Sequence, residues 1–493
     1  MNGNKKQAQL TDGTLLEYFE TANPPNGQQK ETYFGPGRRY VVQLYKDASQ
    51  NDGPRLARLQ EIIHGTRNIT RAEADGGAVG LSQQAAAHFR QLFCWPTGIV
   101  KTPRRGIVAP CFPAKYFFTG GKLKTLRGKE KRLGWFVSAY HRQNSLLPED
   151  LGTLREYLLI CLRLARAVRK LHATGLTHSD LSDNNILIEP RTGECMLLDV
   201  DALVAPGSQR FKAEVRGTGY YMAPEIFATL DLPAEQCSKP CVEADRHSLA
   251  VLIYQLLFWR HPLQNRRNLS GDDEEDDHLR FGRLAAFVET EAGGFTGAPS
   301  QAAGPELYSL FRQAFVDALH EPAKRPTAGN WEVALINAID RLVRCENPAC
   351  SHKWFLSYKP VGTRLVCPFC GAGRRQATCA LQFFRLNDAL DGWREETGRQ
   401  LFIDETSGTG LYAWHVLDNV YRNENADGQL QAAFGFSQGS WWLWNHKLPG
   451  LTVNDAQVPL STPDRPQPQE LHHGDIVWFA AGNHGRYARV DIG

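Results

Sequence analysis

The sequence predicts a multidomain α+β protein that ends in a small cysteine-bound module and an all-β sandwich. Its 493 residues exceed the length at which a single hydrophobic core stops growing. Four cysteines between residues 345 and 370 have the spacing of a metal site. From residue 381 onward, short stretches rich in aromatic residues alternate between apolar and polar, which is typical of antiparallel strands.

The composition excludes several classes of protein. A hydrophobic fraction of 42% and a charged fraction of 22% are those of an ordinary globular chain. The formal net charge of +3 gives no support for nucleic acid or an anionic membrane as a partner. No apolar run reaches the roughly 18 residues of a membrane helix, and the N-terminal residues lack the apolar core of a signal peptide. We therefore expect a cytoplasmic protein with reduced cysteines.

The stretch Thr177–Ile188 holds the strongest motif of the chain. Asp180 and Asn185 precede an apolar run, and the triplet Asp199-Val200-Asp201 follows it. This pattern resembles the catalytic loop and the D-F-G metal-binding motif of the protein-kinase superfamily. The resemblance implies that Asp180 is the base toward the attacking hydroxyl, whereas Asn185 and Asp199 hold Mg²⁺ against the phosphates of ATP.

Three further motifs follow in the order found in that superfamily. Glu225 closes a segment similar to the A-P-E end of an activation loop, and Asp245 precedes the apolar run Val251–Trp259. Arg325 falls where kinases carry the arginine that pairs with the A-P-E glutamate. By resemblance, Glu225 and Arg325 form an ion pair, and Asp245 holds the catalytic loop from the start of a buried helix.

The nucleotide-binding side is less regular. Lys46 ends an apolar strand as the lysine of V-A-I-K does, so the resemblance implies contact with the nucleotide phosphates, with a solvated strand end as the alternative. Glu61, on a predicted helix over residues 53–65, is its candidate partner. The phosphate-covering loop departs from the G-x-G-x-x-G pattern because only Gly27 remains.

A hinge is predicted where the short apolar strand Ile107–Pro113 runs into proline. Ala109 and Phe112 would border the adenine pocket there. The resemblance thus implies a two-lobed protein-kinase-like fold, with an N-lobe at residues 1–110 and a C-lobe at residues 111–343.

Other departures bear on regulation. Ser179 replaces the arginine of H-R-D, which receives activation-loop phosphate in many kinases, so activation by phosphorylation is not expected. Ser182 stands where many serine/threonine kinases carry lysine. Asp201 replaces the glycine of D-F-G; we expect a solvated or backbone-bonded carboxylate, with metal contact as the alternative. The acidic run Gly271–His278 is expected to be a loop.

A zinc ribbon is predicted at residues 344–380. Its pattern is C-x4-C followed by C-x2-C, formed by Cys345, Cys350, Cys367 and Cys370. Four thiolates complete a tetrahedral structural site and leave no position open for catalysis. Free buried thiols are the alternative.

The tail, residues 381–493, is predicted to be an all-β sandwich with one strand at Leu411–Val416. Its loops loosely resemble those of forkhead-associated domains, which implies a phosphopeptide site that includes Arg399 and Asn454. A scaffold that has lost phosphopeptide binding is the alternative.

This order of domains resembles bacterial kinases of tellurite-resistance and stress operons. The resemblance implies a protein serine/threonine kinase with ATP, Mg²⁺ and structural Zn²⁺. It also implies a von Willebrand factor A-type protein and a metal-dependent protein phosphatase as partners. Two alternatives stay open. One is a pseudokinase scaffold that binds nucleotide and recruits partners, and the other is a small-molecule phosphotransferase of the aminoglycoside type.

Overall fold

The computed structural model describes most of the chain. The described residues are 4–21, 30–46, 53–75, 82–205, 218–233, 235–264, 272–290, 297–374, 378–387, 392–403, 409–416, 429–480 and 486–493. Within them, no helix is both long enough and apolar enough to cross a membrane.

Contacts divide the chain into two compact units. The first consists of Met1–Gly152, Leu159–Thr296 and Leu310–Glu332, and the second of Thr153–Leu158, Gly297–Ser309 and Val333–Gly493. The four domain bounds stay predictions, since this division is coarser than the four domains that the sequence suggests.

Six antiparallel strands at the start of the chain close into a barrel. They are β1 (Asn4–Leu10), β2 (Leu15–Glu20), β3 (Lys30–Phe34), β4 (Tyr40–Tyr45), β5 (Gly98–Thr102) and β6 (Gly106–Pro110), in the order β1-β2-β3-β4-β6-β5. One face of β4 lies in the barrel core through Val42 and Leu44, which pack with Val100 and Val108. Side chains alternate along a strand, so the other face of β4, with Val41 and Tyr45, points away from that core.

Helices α1 (Gly53–Ile63) and α2 (Gln83–Leu92) lie between β4 and β5 in the sequence. A helical part with one β-hairpin follows the barrel. Its elements are α3 (Ala139–Asn144), α4 (Leu154–Ala173), β7 (Ile186–Glu189), β8 (Glu194–Leu197), α5 (Pro224–Phe227), α6 (Val242–Phe258), α7 (Asp273–Phe281), α8 (Gly304–Arg312) and α9 (Ala328–Asp340). From Ala244 to Phe258, every residue of α6 except Arg246 is buried, as expected for a helix that is apolar on all sides.

The second unit is rich in short strands. They are β9 (Leu342–Arg344), β10 (Trp354–Leu356), β11 (Leu365–Val366), β12 (Gly373–Arg374), β13 (Cys379–Asn387), β14 (Gly392–Ile403), β15 (Gly410–Tyr412), β16 (Leu430–Ser437), β17 (Ser440–Asn445), β18 (Thr452–Val453), β19 (Ala456–Gln457), β20 (Pro468–Leu471), β21 (Ile476–Trp478) and β22 (Arg486–Ile492), with one short helix, α10 (Ala413–Val416).

Strands β13–β22 form two antiparallel sheets, one of six strands in the order β14-β13-β22-β21-β18-β19 and one of four in the order β15-β16-β17-β20. A single hydrophobic cluster joins them, because Phe383 and Val477 of the six-stranded sheet pack with Phe434 and Leu443 of the four-stranded sheet.

Two local predictions are wrong. The strand predicted over Leu411–Val416 ends at Tyr412 and continues as α10. Here the ring of His415 accepts a hydrogen bond from the amide of Tyr412 at 2.8 Å and lies 2.8 Å from Asp340 Oδ1, which favours a helical turn over an extended strand.

The acidic run predicted as a loop contributes most of α7. Asp272 Oδ1 caps the start of this helix by accepting a hydrogen bond from the amide of Glu275 at 2.9 Å. Phe281 is 1% exposed and anchors its other end.

Candidate active site

The backbone between α4 and β7 is held by one buried carboxylate. Asp245, in the first turns of α6, accepts hydrogen bonds from the amides of His178 and Ser179 at 2.7 and 3.1 Å. Its Oδ2 also lies 3.1 Å from Nε2 of His172. Ser179 has the left-handed φ of 62°, a conformation that non-glycine residues adopt only when neighbouring contacts fix it. The α6 helix therefore sets the shape of the loop that carries Asp180.

Asp180 is contacted on both carboxylate oxygens. Asn185 Nδ2 donates to Asp180 Oδ2 and to its carbonyl oxygen, each at 2.9 Å. The hydroxyl of Thr218 donates to Oδ1 at 2.7 Å. These bonds turn the amide nitrogen of Asn185 toward Asp180. No donor in the described part of the chain reaches Asn185 Oδ1, so this oxygen is available to a cation.

The hairpin β7–β8 brings the chain back beside Asn185. The amide of Leu198 donates to the carbonyl of Asn185 at 2.9 Å, directly before Asp199. Asp199 has a left-handed φ of 58°, and its side chain is 34% exposed. The structure thus places Asp180, Asn185 and Asp199 in one cluster.

Lys30, the first residue of β3, reaches this cluster. Its Nζ lies 2.6 Å from Asp199 Oδ1 and 2.7 Å from Asp201 Oδ1. Burial alone would lower the pKa of Lys30, but the two carboxylates outweigh burial and raise it. Burial likewise acts to raise the pKa of Asp201, whereas Lys30 and the hydroxyl of Tyr45 lower it.

This geometry corrects the expectation for Asp201. Its side chain is 3% exposed, so it is not solvated. The hydroxyl of Tyr45 donates to Asp201 Oδ2 at 2.7 Å, and Lys30 occupies Oδ1. The carboxylate is therefore paired with side chains rather than with backbone or water.

The nucleotide contacts of Lys46 and Glu61 stay predictions. Lys46 is exposed just after the end of β4, and Lys30 takes the place next to Asp199. Glu61 accepts a hydrogen bond from Thr66 at 3.2 Å and contacts neither lysine. Gly27 lies outside the described residues.

An apolar cluster connects the barrel to the β7–β8 hairpin. Val41 and Ala109 from the barrel pack with Leu187 and Leu198 in this cluster, and Phe112 packs against it half-buried. Ala109 and Phe112 therefore share one apolar surface with residues that flank Asn185 and Asp199 in the sequence.

Glu225 and Arg325 form a bidentate ion pair. The guanidinium donates to both carboxylate oxygens at 2.8 and 2.7 Å. It also donates to the carbonyls of Leu319 and Glu243 at 2.8 and 3.0 Å. The side chain of Arg325 is fully buried, so this one cation joins α5 to the start of α6 and to the segment after α8.

We expect Arg325→Ala to lower the free energy of unfolding of the first unit by about 3 kcal/mol, since it removes a buried cation and its bonds to Glu225. Denaturant unfolding would measure this. Lys324→Ala is the matched control, because the Lys324 side chain is 66% exposed and pairs with Glu321 on the surface, where such pairs contribute less than about 1 kcal/mol. Equal losses from both variants would contradict the structural role of Arg325.

The four predicted zinc ligands converge. The Sγ atoms of Cys345, Cys350, Cys367 and Cys370 all lie within 4.8 Å of one another. Three of these cysteines are buried, and Cys370 is exposed. Four soft ligand atoms this close fit a tetrahedral metal site.

Arg399 and Asn454 are not brought together. Arg399 lies on β14 and Asn454 in the turn between β18 and β19, four strand spacings apart in the six-stranded sheet, or about 19 Å. Arg399 donates to Asn337 Oδ1. Asn454 is bonded to Asp475 at 2.7 Å and to the amide of Ile476 at 2.9 Å. The phosphopeptide site stays a prediction, and the structure holds its two residues apart, each with partners within the protein.

Three residues of the site were not predicted from the sequence: Lys30, Tyr45 and Thr218. The alternation of side chains along β4 could have indicated two of them, Tyr45 and Lys30. Tyr45 shares a face with Val41, and Lys30 pairs directly with Tyr45 across β3 and β4, so both side chains lie on the same side of the sheet.

Comparison with known proteins finds similarity over part of the chain. Residues 135–329 match the family model described as protein kinase domain. The serine/threonine-protein kinase WNG2 of Toxoplasma gondii is 27% identical over 147 residues, which is 30% of this chain and 26% of that protein. The ovarian-specific serine/threonine-protein kinase Lok of Drosophila melanogaster is 34% identical over 88 residues, or 17% of each chain. The chain thus spans about a quarter or less of the length of these two relatives.

Among solved structures, the kinase domain of a Toxoplasma gondii rhoptry antigen is similar with a TM-score of 0.42 at 13% identity. The likeness covers 68% of this chain and 87% of that one. The family match includes Asp180, Asn185, Asp199, Asp245 and Arg325 but not Lys30. Residues 135–329 of this chain are thus similar to the protein kinase domain.

Proposed function

We propose that the chain is a protein serine/threonine kinase that transfers the γ-phosphoryl group of ATP to a protein hydroxyl with the help of Mg²⁺. One observation carries the proposal: Asn185 is bonded to Asp180 and Lys30 to Asp199, and the amide of Leu198, the residue before Asp199, is bonded to the carbonyl of Asn185. Phosphoryl transfer needs a base, metal ligands and a cation for the phosphates, and each of these four residues has the chemistry for one of those roles.

Asp180 is the base. It orients the substrate hydroxyl and receives its proton, while the hydroxyl oxygen forms a bond to the γ-phosphorus. The bond from that phosphorus to the bridging oxygen breaks, and ADP leaves. The bonds from Asn185 and Thr218 hold the carboxylate in place for this step.

Asn185 and Asp199 fit a magnesium site. Asn185 Oδ1 and the half-exposed carboxylate of Asp199 supply the oxygen ligands that Mg²⁺ prefers. When bound, the ion neutralises charge on the nucleotide phosphates. Lys30 contacts Oδ1 of Asp199, so the cation would be held by Oδ2 or would replace the lysine on Oδ1.

Lys30 contacts the nucleotide phosphates in this proposal, in place of Lys46. It is the described lysine whose ammonium reaches Asp199. The apolar cluster with Ala109 and Phe112 would border the adenine ring, which is flat and mostly apolar on its faces. A covering role for Gly27 stays a prediction.

A protein substrate is favoured over a small molecule. Thr218 and the Glu225–Arg325 pair order the segment that would dock a peptide beside Asp180. Both relatives are named as serine/threonine kinases, which supports Ser or Thr as the acceptor.

A structural zinc at the four cysteines is supported by their convergence. The β-rich tail, proposed as a sandwich, is supported by its two sheets and shared core. A cytoplasmic stress-response role, with a von Willebrand factor A-type protein and a metal-dependent phosphatase as partners, is supported by the resemblance in domain order.

The test is incubation of the purified chain with labelled ATP, magnesium and a mixture of Ser- and Thr-containing peptides, with mass spectrometry to locate the label. We expect phosphate on Ser or Thr with the wild type and at least about 100-fold less with Asp180→Asn. If the label is absent while magnesium and ATP raise the melting temperature, the chain is a nucleotide-binding scaffold and the proposed activity is wrong.

A further inference from the structure

The phosphate-contacting lysine of this chain is held in an unusual way. Protein kinases need an ion pair between that lysine and a glutamate of a helix in the N-lobe. In the described structure, both carboxylates that contact Lys30 come from the Asp199-Val200-Asp201 triplet. The sequence of α2 contains no acidic residue, and the single acid of α1, Glu61, bonds to Thr66. Neither helix therefore supplies the usual partner.

The two carboxylates that contact Lys30 differ in access. Asp199 is 34% exposed and Asp201 is 3% exposed. Both oxygens of Asp201 have partners within the protein, Lys30 at 2.7 Å and the Tyr45 hydroxyl at 2.7 Å. A ligand can thus reach the carboxylate of Asp199, whereas that of Asp201 is nearly inaccessible.

The surroundings of Asp201 hold it in place. Lys30 and Tyr45 are directly paired across β3 and β4, so their polar ends approach Asp201 from one sheet face. The guanidinium of Arg55 in α1 lies 4.5 Å from the centre of the Tyr45 ring. Helix α1 therefore contributes a cation to this group of residues, where kinases usually contribute an acid.

We propose that Asp201 is a positioning residue that holds the ammonium of Lys30 at the phosphate site. This inference rests on the proposed kinase function. If a metal on Asp199 displaced Lys30 from that carboxylate, the contact with Asp201 would keep Lys30 in place. The placement of the lysine then depends on the loop after β8 rather than on the movement of a helix.

Direct metal binding by Asp201 is the competing role, and the geometry disfavours it. A metal at Asp201 would have to displace Lys30 or Tyr45 from a nearly inaccessible carboxylate. The two roles also predict different couplings: a positioning residue acts only through Lys30, whereas a metal ligand acts without it.

The experiment is a double-mutant cycle with Asp201→Asn and Lys30→Met, read out both as kcat/KM and as the affinity for magnesium and ATP. We expect Asp201→Asn to lower kcat/KM by about 10- to 100-fold. In the Lys30→Met background, the same change should alter kcat/KM and nucleotide affinity by less than about 2-fold. A further loss of about 10-fold in that background would assign Asp201 to the metal and overturn the proposal.

Two further measurements cover a variant that does not fold and a wild type that is inactive. If Asp201→Asn does not fold, Tyr45→Phe takes its place, because it removes a single hydrogen bond to Asp201. We expect a smaller loss, about 3-fold, that again disappears with Lys30→Met; a loss that persists would overturn the proposal. If the wild type transfers no phosphate, the kinase function fails, but the coupling measured in nucleotide affinity still decides the role of Asp201.

Discussion

Replacing Lys30 with methionine is expected to lower kcat/KM for peptide phosphorylation by about 100- to 1,000-fold. Methionine keeps the length and apolar stem of the lysine but removes the charge that would contact the phosphates. Lys30 is partly buried, with its ammonium 2.6 Å from Asp199, so its removal leaves that carboxylate without its cation. Steady-state kinetics with a peptide substrate would measure the loss.

Lys46→Met is the matched control. Lys46 ends the neighbouring strand of the same sheet but is exposed, so we expect activity within about 2-fold of the wild type. The reverse pattern, a silent Lys30 variant and an inactive Lys46 variant, would restore the interpretation based on sequence alone.

Loss of metal from the four-cysteine site is expected to have the largest effect on stability. Cys345, Cys350 and Cys367 belong to a buried cluster that also includes Ala380 of β13 and Phe402 of β14. Without an ion, four thiols within 4.8 Å no longer hold this cluster together. We expect Cys367→Ser to abolish zinc binding and to lower the melting temperature of the second unit by at least about 10 °C.

The control for this prediction is Cys237→Ser, which alters a half-buried cysteine of the first unit. It should leave one zinc per chain by elemental analysis and shift the melting temperature by only a few degrees at most, about 2 °C. A zinc-free wild type with an unchanged melting temperature after chelation would show that the cysteines are free thiols.

The sequence allowed part of the site to be predicted because that part is local. Asp180, Asn185 and Asp199 lie within twenty residues of one another, and one loop with one hairpin brings them together. Asp245 and Arg325 are distant in sequence, but each belongs to a motif of its own. Each of these motifs can be recognised in the sequence by its own residue spacing.

Lys30 could not be predicted in the same way, because its position depends on strand register. A lysine at a strand end resembles any solvated terminus until pairing places it opposite Tyr45. The alternation of side chains along β4 already argued against Lys46. Lys46 continues the face of Val42 and Leu44, which lies in the barrel core, rather than the face that meets Asp201.

Tertiary contacts also overrode local patterns elsewhere. The alternating residues of Leu411–Val416 favoured a strand until the pairing of His415 with Asp340 favoured a helical turn. Loop resemblance predicts that Arg399 and Asn454 share one phosphopeptide site, whereas the strand order of the sheet places them apart. Neither a buried ion pair nor a strand order is visible in a single sequence.

The most direct test of the account is a crystal structure of the chain with magnesium and a non-hydrolysable ATP analogue. We expect Lys30 Nζ to lie within about 3 Å of a phosphate oxygen, with Asp201 still accepting its hydrogen bond and with Asn185 and Asp199 in contact with the metal. A complex in which Lys46 contacts the phosphates while Lys30 stays on Asp199 would contradict it.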